Sequence, residues 1–263
     1  MRTIKKNGAN AARRAAGLVR DIERSVDGLL GADEAGRRYR HYVAEHDAPA
    51  DDNTAYARLC VVIFAQGLGF GAVEAKLEEF ISAFEGFVPE RVATFDDARI
   101  GRIMQAPIIR NEAKIRACVE NAKRWVAAAG TTTYLAKVAQ IAVDDDAAGG
   151  WPALTKELQK DFARVGDTAA RQTLKRWGFF TAFAHPGSRR ALERLALVAE
   201  ADSPAAAQCF VGSIARVIGR DPYHVEATLA LFASLGPCKR QPECDECPLA
   251  ERCPTAARRT ESL

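Results

Sequence analysis

A chain of 263 residues is long enough for one large domain or two modest lobes with ample core, and at 48% hydrophobic and 27% charged it has an ordinary globular composition. Its net charge of +3, from 37 basic against 34 acidic residues, identifies no partner by itself. No apolar run approaches the roughly 18–20 residues of a membrane span, and no apolar signal core opens the chain, so a reducing cytoplasm is the expected compartment.

The first twenty residues carry Arg2, Lys5, Lys6, Arg13, Arg14 and Arg20 and no acid. Such an arm reads either as a solvated tail or as a strip for phosphates. From Tyr56 to Phe84, apolar residues recur at three- and four-residue intervals, interrupted by Gly67, Gly69 and Gly71. That pattern predicts two helices joined by a tight turn. Ile115, Val119, Ala122 and Val126 mark a further helix, and Asp144 to Gly150 reads as a linker. Leu154 to Gly178 shows two helical patterns around the short turn Phe162-Ala163-Arg164-Val165-Gly166. Here Gly166 is expected to let the backbone turn closely, while the helix opening at Asp167-Thr168 offers unpaired N–H groups to an anion. An ordinary glycine turn between two helices is the competing reading. Ser203-Pro204 and Asp221-Pro222 are cap-then-proline starts for helices ending near Ile218 and Leu235. Period-two alternation is nearly absent, so the fold class is all-α.

Four of the seven cysteines, Cys238, Cys244, Cys247 and Cys253, fall in the last twenty-six residues as C-x5-C-x2-C-x5-C. Thiolates this close in sequence suit a [4Fe–4S] cluster or a structural zinc. Cys60, Cys118 and Cys209 lie on apolar helical faces and are expected to act as small hydrophobes. His41, His46 and His224 form no second metal set, and His224 is expected to satisfy a local hydrogen bond.

The hairpin followed by a cysteine loop resembles the helix-hairpin-helix DNA glycosylase superfamily, whose endonuclease III branch carries a [4Fe–4S] cluster. Ala65-Gln66 is similar to the family's Ala-Gln turn, whose glutamine fills the space beside the widowed base. Ile108-Ile109-Arg110-Asn111 is similar to its wedge loop, with Ile109 as the residue pushed into the duplex. Within the superfamily, QGLGF (66–70) and IIRNEAKIRACVENA (108–122) resemble the TAG-type 3-methyladenine glycosylases. His46-Asp47 echoes their Tyr-His-Asp, with Glu45 in the tyrosine's place. Phe70 stands where that family stacks a tryptophan on the flipped base. The resemblance implies a two-lobed, monomeric protein on double-stranded DNA in the nucleoid. One lobe is expected from 1–55 with 175–263, including the cluster loop 238–253, and the other from 56–174. Arg110, Arg164, Gly166, Thr168, Lys239 and Arg240 are then the expected DNA contacts.

Departures from the family pattern bear on the chemistry. Thr168 replaces the Schiff-base lysine of bifunctional members, which argues against a lyase step. Counting seven residues from Gly178 reaches His185 where most members have an aspartate. A neutral imidazole there can accept a proton from water, with Asp47 or Asp167 supplying negative field. Val62 replaces the glutamate that reads a cationic purine. The first cysteine gap is five residues instead of six. The expected activity is hydrolytic excision of a non-canonical base, an alkylated purine by resemblance. Bulky hydroxymethylated or glucosylated cytosine of phage DNA is one alternative, and a non-catalytic DNA-binding module is the other.

Overall fold

In the computed structural model, residues 2–44, 47–145, 151–181, 186–199 and 204–260 are described. Among them the regular structure is helical, as the missing period-two pattern requires, and no helix is long and apolar enough to cross a membrane. The helices are α1 (Arg2–Leu30), α2 (Ala32–Ala44), α3 (Asp52–Ala65), α4 (Phe70–Glu74), α5 (Leu77–Ala83), α6 (Pro89–Val92), α7 (Asp97–Gln105) and α8 (Glu112–Ala129). They continue as α9 (Tyr134–Asp144), α10 (Pro152–Asp161), α11 (Asp167–Arg176), α12 (Pro186–Arg194), α13 (Pro204–Ile218), α14 (Pro222–Ser234) and α15 (Pro254–Thr260). They form two compact units, α1 and α2 with α12–α15, and α3–α11.

In the first unit, α1 packs on α13 and α14, and α12 packs on α14. The N-terminal basic segment is therefore no free tail. Ala12, Ala15, Val19, Ile22 and Val26 recur at helical spacing and are buried, while Arg13, Arg14 and Arg20 stay exposed. The start of α14 follows the sequence signal, with the Asp221 carboxylate accepting from Tyr223 N at 2.7 Å and Pro222 in the first turn. The hydrogen bond of His224 is not local but reaches α1, 2.9 Å from Nε2 to Glu23 Oε1. Cys209, expected among apolar neighbours, is exposed.

The second unit is built around α3. Nearly every residue of α3 from Ala55 to Ala65 is buried, as expected for a helix that is apolar all round. Gly67 and Gly69 both take positive φ, 78° and 86°, which ends α3 abruptly. The expected pair of helices between Tyr56 and Phe84 is instead three. The chain breaks again at Lys76, whose φ of −126° and ψ of 21° separate α4 from α5. Phe64, Phe80, Phe84 and Phe87 interlock, Trp125 contacts Tyr134, Phe162 and Trp177, and Tyr56 of α3 touches both groups. Each such fully buried side chain contributes about 1.5–3 kcal/mol relative to exposure. Trp151 meets Phe179 edge-on, so all three tryptophans of the chain lie in this unit.

One carboxylate ties this unit together across more than seventy residues of chain. Asp52 accepts from Trp125 Nε1 at 2.9 Å, from Tyr134 N at 2.7 Å and from Leu135 N at 3.1 Å. It thus caps α9 from the start of α3. Asp52→Ala strands three donors, and we expect a loss of about 2–4 kcal/mol. Thermal melting followed by circular dichroism should show Tm lower by roughly 5–10 °C.

Candidate functional site

The hairpin forms as expected, but its turn is made differently. The left-handed residue is Arg164, at φ 60°. Gly166 is extended, at φ −80° and ψ −177°, and a Cβ built on it would meet no atom within 4 Å. Phe162 and Val165 point into the core and leave Arg164 outside. Gly166 caps α11 without a side chain, so the first-turn N–H groups at the exposed Asp167 and Thr168 receive no side-chain cap. Asp167 Oδ2 accepts from Arg171 Nε at 3.0 Å.

Two residues of α8 hold this turn and the Gln66 turn in place. The buried amide of Asn121 pairs with the backbone of Ala163 in both directions, donating to its O at 3.0 Å and accepting from its N at 2.7 Å. Lys114, 7% exposed, donates from Nζ to Phe64 O at 2.8 Å and to Gln66 O at 2.6 Å. Burial lowers its pKa, with Arg164 adding to the effect. Gln66 itself donates from Nε2 to Arg164 O at 2.9 Å, which joins the two turns directly. Sequence reading missed Lys114 and Asn121. Their signal was two polar residues, seven apart, on the stripe of Ile115, Cys118 and Ala122. Just before α8, Asn111 Oδ1 accepts from Lys114 N, Ile108 is buried, Ile109 is half-buried and Arg110 is exposed.

Val62 is fully buried and offers no polar atom. One turn before it, Arg58 donates from Nη1 to the carbonyl of Asp47 and, at 2.5 Å, to that of Arg176. The Arg176 guanidinium lies over the Phe70 ring, 4.0 Å from its centroid, and donates to Glu74 Oε1 at 2.8 Å. The Phe70 face expected to meet a base is thus met by an arginine. Asp47 is exposed. His185, Glu45 and His46 lie outside the described residues.

The cysteine loop belongs to the first unit. Cys238, Cys244, Cys247 and Cys253 border one small pocket together with Phe232 and Leu249. No three Cys, His, Asp or Glu side chains among the described residues are gathered as ligands of a single ion. Arg194 of α12 organises the loop, donating to Lys239 O at 2.6 Å, Arg240 O at 3.0 Å and Cys238 O at 3.1 Å. Its own carbonyl accepts from Cys253 Sγ at 3.4 Å and Thr255 Oγ1 at 2.9 Å. Burial raises the Cys238 thiol pKa, against the lowering effect of Arg194. Four thiols on a largely apolar pocket are a suitable donor set for a thiolate-held metal group. Arg240 is exposed, whereas Lys239 is engaged by Glu243 at 3.0 Å.

The methyladenine glycosylase family matches residues 35–179. A crystal structure of 3-methyladenine DNA glycosylase I (TAG) is 25% identical, with TM-score 0.45, over 51% of this chain and 82% of that one. The Staphylococcus aureus enzyme, solved for 3-methyladenine recognition, is 22% identical, with TM-score 0.45, over 52% of this chain and 81% of its own. A trapped endonuclease III–DNA covalent intermediate is 16% identical, with TM-score 0.54, over 92% of this chain and 98% of that one. This last likeness is one of fold.

Asn121→Ala leaves the N–H and C=O of Ala163 unpaired in the interior. We expect a loss of about 2–4 kcal/mol in urea unfolding, and weaker duplex DNA binding as the hairpin turn loosens.

Proposed function

The chain belongs to the methyladenine glycosylase family, and from that premise we propose that it is a monofunctional DNA glycosylase that excises a non-canonical base. The observation that carries this reading is the Gln66 Nε2 bond to Arg164 O. It brings the turn assigned to the widowed base and the turn assigned to the phosphate backbone into one rigid patch. In this reading α11 and its hairpin turn grip phosphate through backbone N–H groups, without reading sequence. Ile109 enters the duplex while Gln66 fills the vacated space, and the target base leaves the stack.

Breaking the glycosidic bond develops positive charge on the sugar as water attacks its anomeric carbon and the base departs with the bonding electrons. A residue that removes the proton of that water, and a carboxylate facing the sugar, lower this barrier. We assign the first role to His185, with Asp47 and Asp167 as the candidate carboxylates. Thr168 supplies no amine for a Schiff base, so the product is an abasic site on an unbroken strand.

Cys238, Cys244, Cys247 and Cys253 would hold a [4Fe–4S] cluster, with structural zinc as the alternative. Bound there, the group would staple the loop against α12 and α14. We expect a brown protein absorbing at ~400 nm, its colour lost in Cys247→Ser; a colourless, folded, zinc-loaded protein refutes the cluster.

The test is base release. The protein is incubated with methylated, deaminated, oxidised and phage-modified genomic DNA, and freed bases are identified by mass spectrometry. We expect one class of base to be freed and strands to stay uncut until alkali is added. DNA binding with silence across all four substrates would establish a non-catalytic binding module instead. His185→Ala is expected to abolish release while DNA affinity stays within a few-fold. Turnover surviving that change moves the water activator to Asp47 or Asp167.

A further inference from the structure

Residues 58, 62 and 66 recur every four positions and share one face of α3 and its cap. On that face the buried Val62 supplies no charge, and the half-buried guanidinium of Arg58 lies one turn away. Both hydrogen bonds of Arg58 leave from Nη1, to the carbonyls of Asp47 and Arg176. Its Nε and Nη2 have no partner among the described residues. The head group is therefore fixed by one nitrogen, and its other edge is left without a protein partner among the described residues.

Next to it stands a second guanidinium. Arg176 covers the Phe70 ring at 4.0 Å and is neutralised by Glu74 at 2.8 Å. Arg58 has no carboxylate within ion-pairing distance among the described residues. The exposed Asp47 acts on it only at longer range. Burial and the neighbouring Arg176 both disfavour its charge, so a hydrogen-bond acceptor reaching Nε and Nη2 would meet a poorly solvated and electron-poor donor pair. An incoming cation would meet positive charge that no carboxylate among the described residues pairs with directly. The Phe70–Arg176–Arg58 array has the opposite polarity to a carboxylate site built for a positively charged base.

We propose that Arg58 is a specificity-determining residue of the base pocket. Its guanidinium edge donates to the carbonyl or ring-nitrogen acceptors of a neutral extruded base and excludes cationic N-alkylated purines. This rests on the excision reading above and names the substrate class for it. Selection follows because a site built around polar donors leaves them unpaired when the acceptor is missing, and repels a base carrying its own positive charge.

The experiment compares single-turnover release from matched duplexes by wild type, Arg58→Gln and Arg58→Lys. The neutral bases are hypoxanthine, uracil, 1,N6-ethenoadenine and glucosylated hydroxymethylcytosine; the cationic ones are 7-methylguanine and 3-methyladenine. Wild type is expected to favour a neutral base, and Arg58→Gln to narrow the neutral-to-cationic rate ratio by about tenfold or more. Arg58→Lys keeps the charge but not the fork, and is expected to retain exclusion of cationic bases while slowing release of the neutral one. A purely structural defect lowers all rates in parallel and leaves the ratio unmoved, which overturns the assignment. So does a wild type that favours the cationic bases. If wild type frees no base at all, the excision reading itself fails and this assignment with it, an outcome distinct from release with an unchanged ratio.

Discussion

A buried ammonium and a buried amide, seven residues apart on α8, hold the two turns on which the candidate site of the second unit is built. Lys114 and Asn121 bond backbone rather than side chains, so they fix the path of the chain at Phe64–Gln66 and at Ala163. Backbone groups at the ends of helices have no partners of their own, and a buried turn without outside donors is costly. The polar side chains of α8 satisfy the turns from within. The left-handed backbone of Arg164 is held on both sides, by Asn121 through Ala163 and by Gln66 through its own carbonyl. Local strain of that kind persists only where the surroundings over-determine it.

Elements set by local rules were legible in the sequence. Asp221-Pro222 announces α14 because a cap and a proline act within one turn. The all-α class follows from periodicity alone. Where the rule was weak, the reading failed. The buried stripe of α1 opens with Ala12, Ala15 and Ala16, which scarcely stand out from a basic background, and so the segment read as a tail or a phosphate strip, with no packed face. Two breaks fall close together around α4, and only Gly67 and Gly69 show in the sequence; the second, at Lys76, is an ordinary residue in an uncommon backbone conformation. Gly166 looked like the turn-maker because glycine usually is, yet Arg164 takes that role.

The candidate site was legible in the same uneven way. Gln66, Ile109 and Arg164 were visible through resemblance, and the structure joins Gln66 to the hairpin. The arginine array was invisible because it is tertiary. Arg58 and Arg176 stand 118 positions apart, and although Arg176 closes the hairpin's second helix, nothing in the sequence pairs it with Arg58. The cysteine loop lies between these cases. Its donors are adjacent in sequence, but their arrangement depends on Arg194, whose contacts with the loop span more than forty residues of chain.

The placement of the three tryptophans in the second unit gives the protein one optical channel, to which a thiolate-bound chromophore would add a second. The buried rings of Trp125 and Trp177 sit 5.7 Å apart in that core, so ultraviolet emission reports the melting of α3–α11. A thiolate-bound chromophore on the cysteine loop would report the other unit at visible wavelengths. Denaturation followed in both colours would therefore reveal whether the two halves of the chain unfold as one cooperative body or in succession, without any added label.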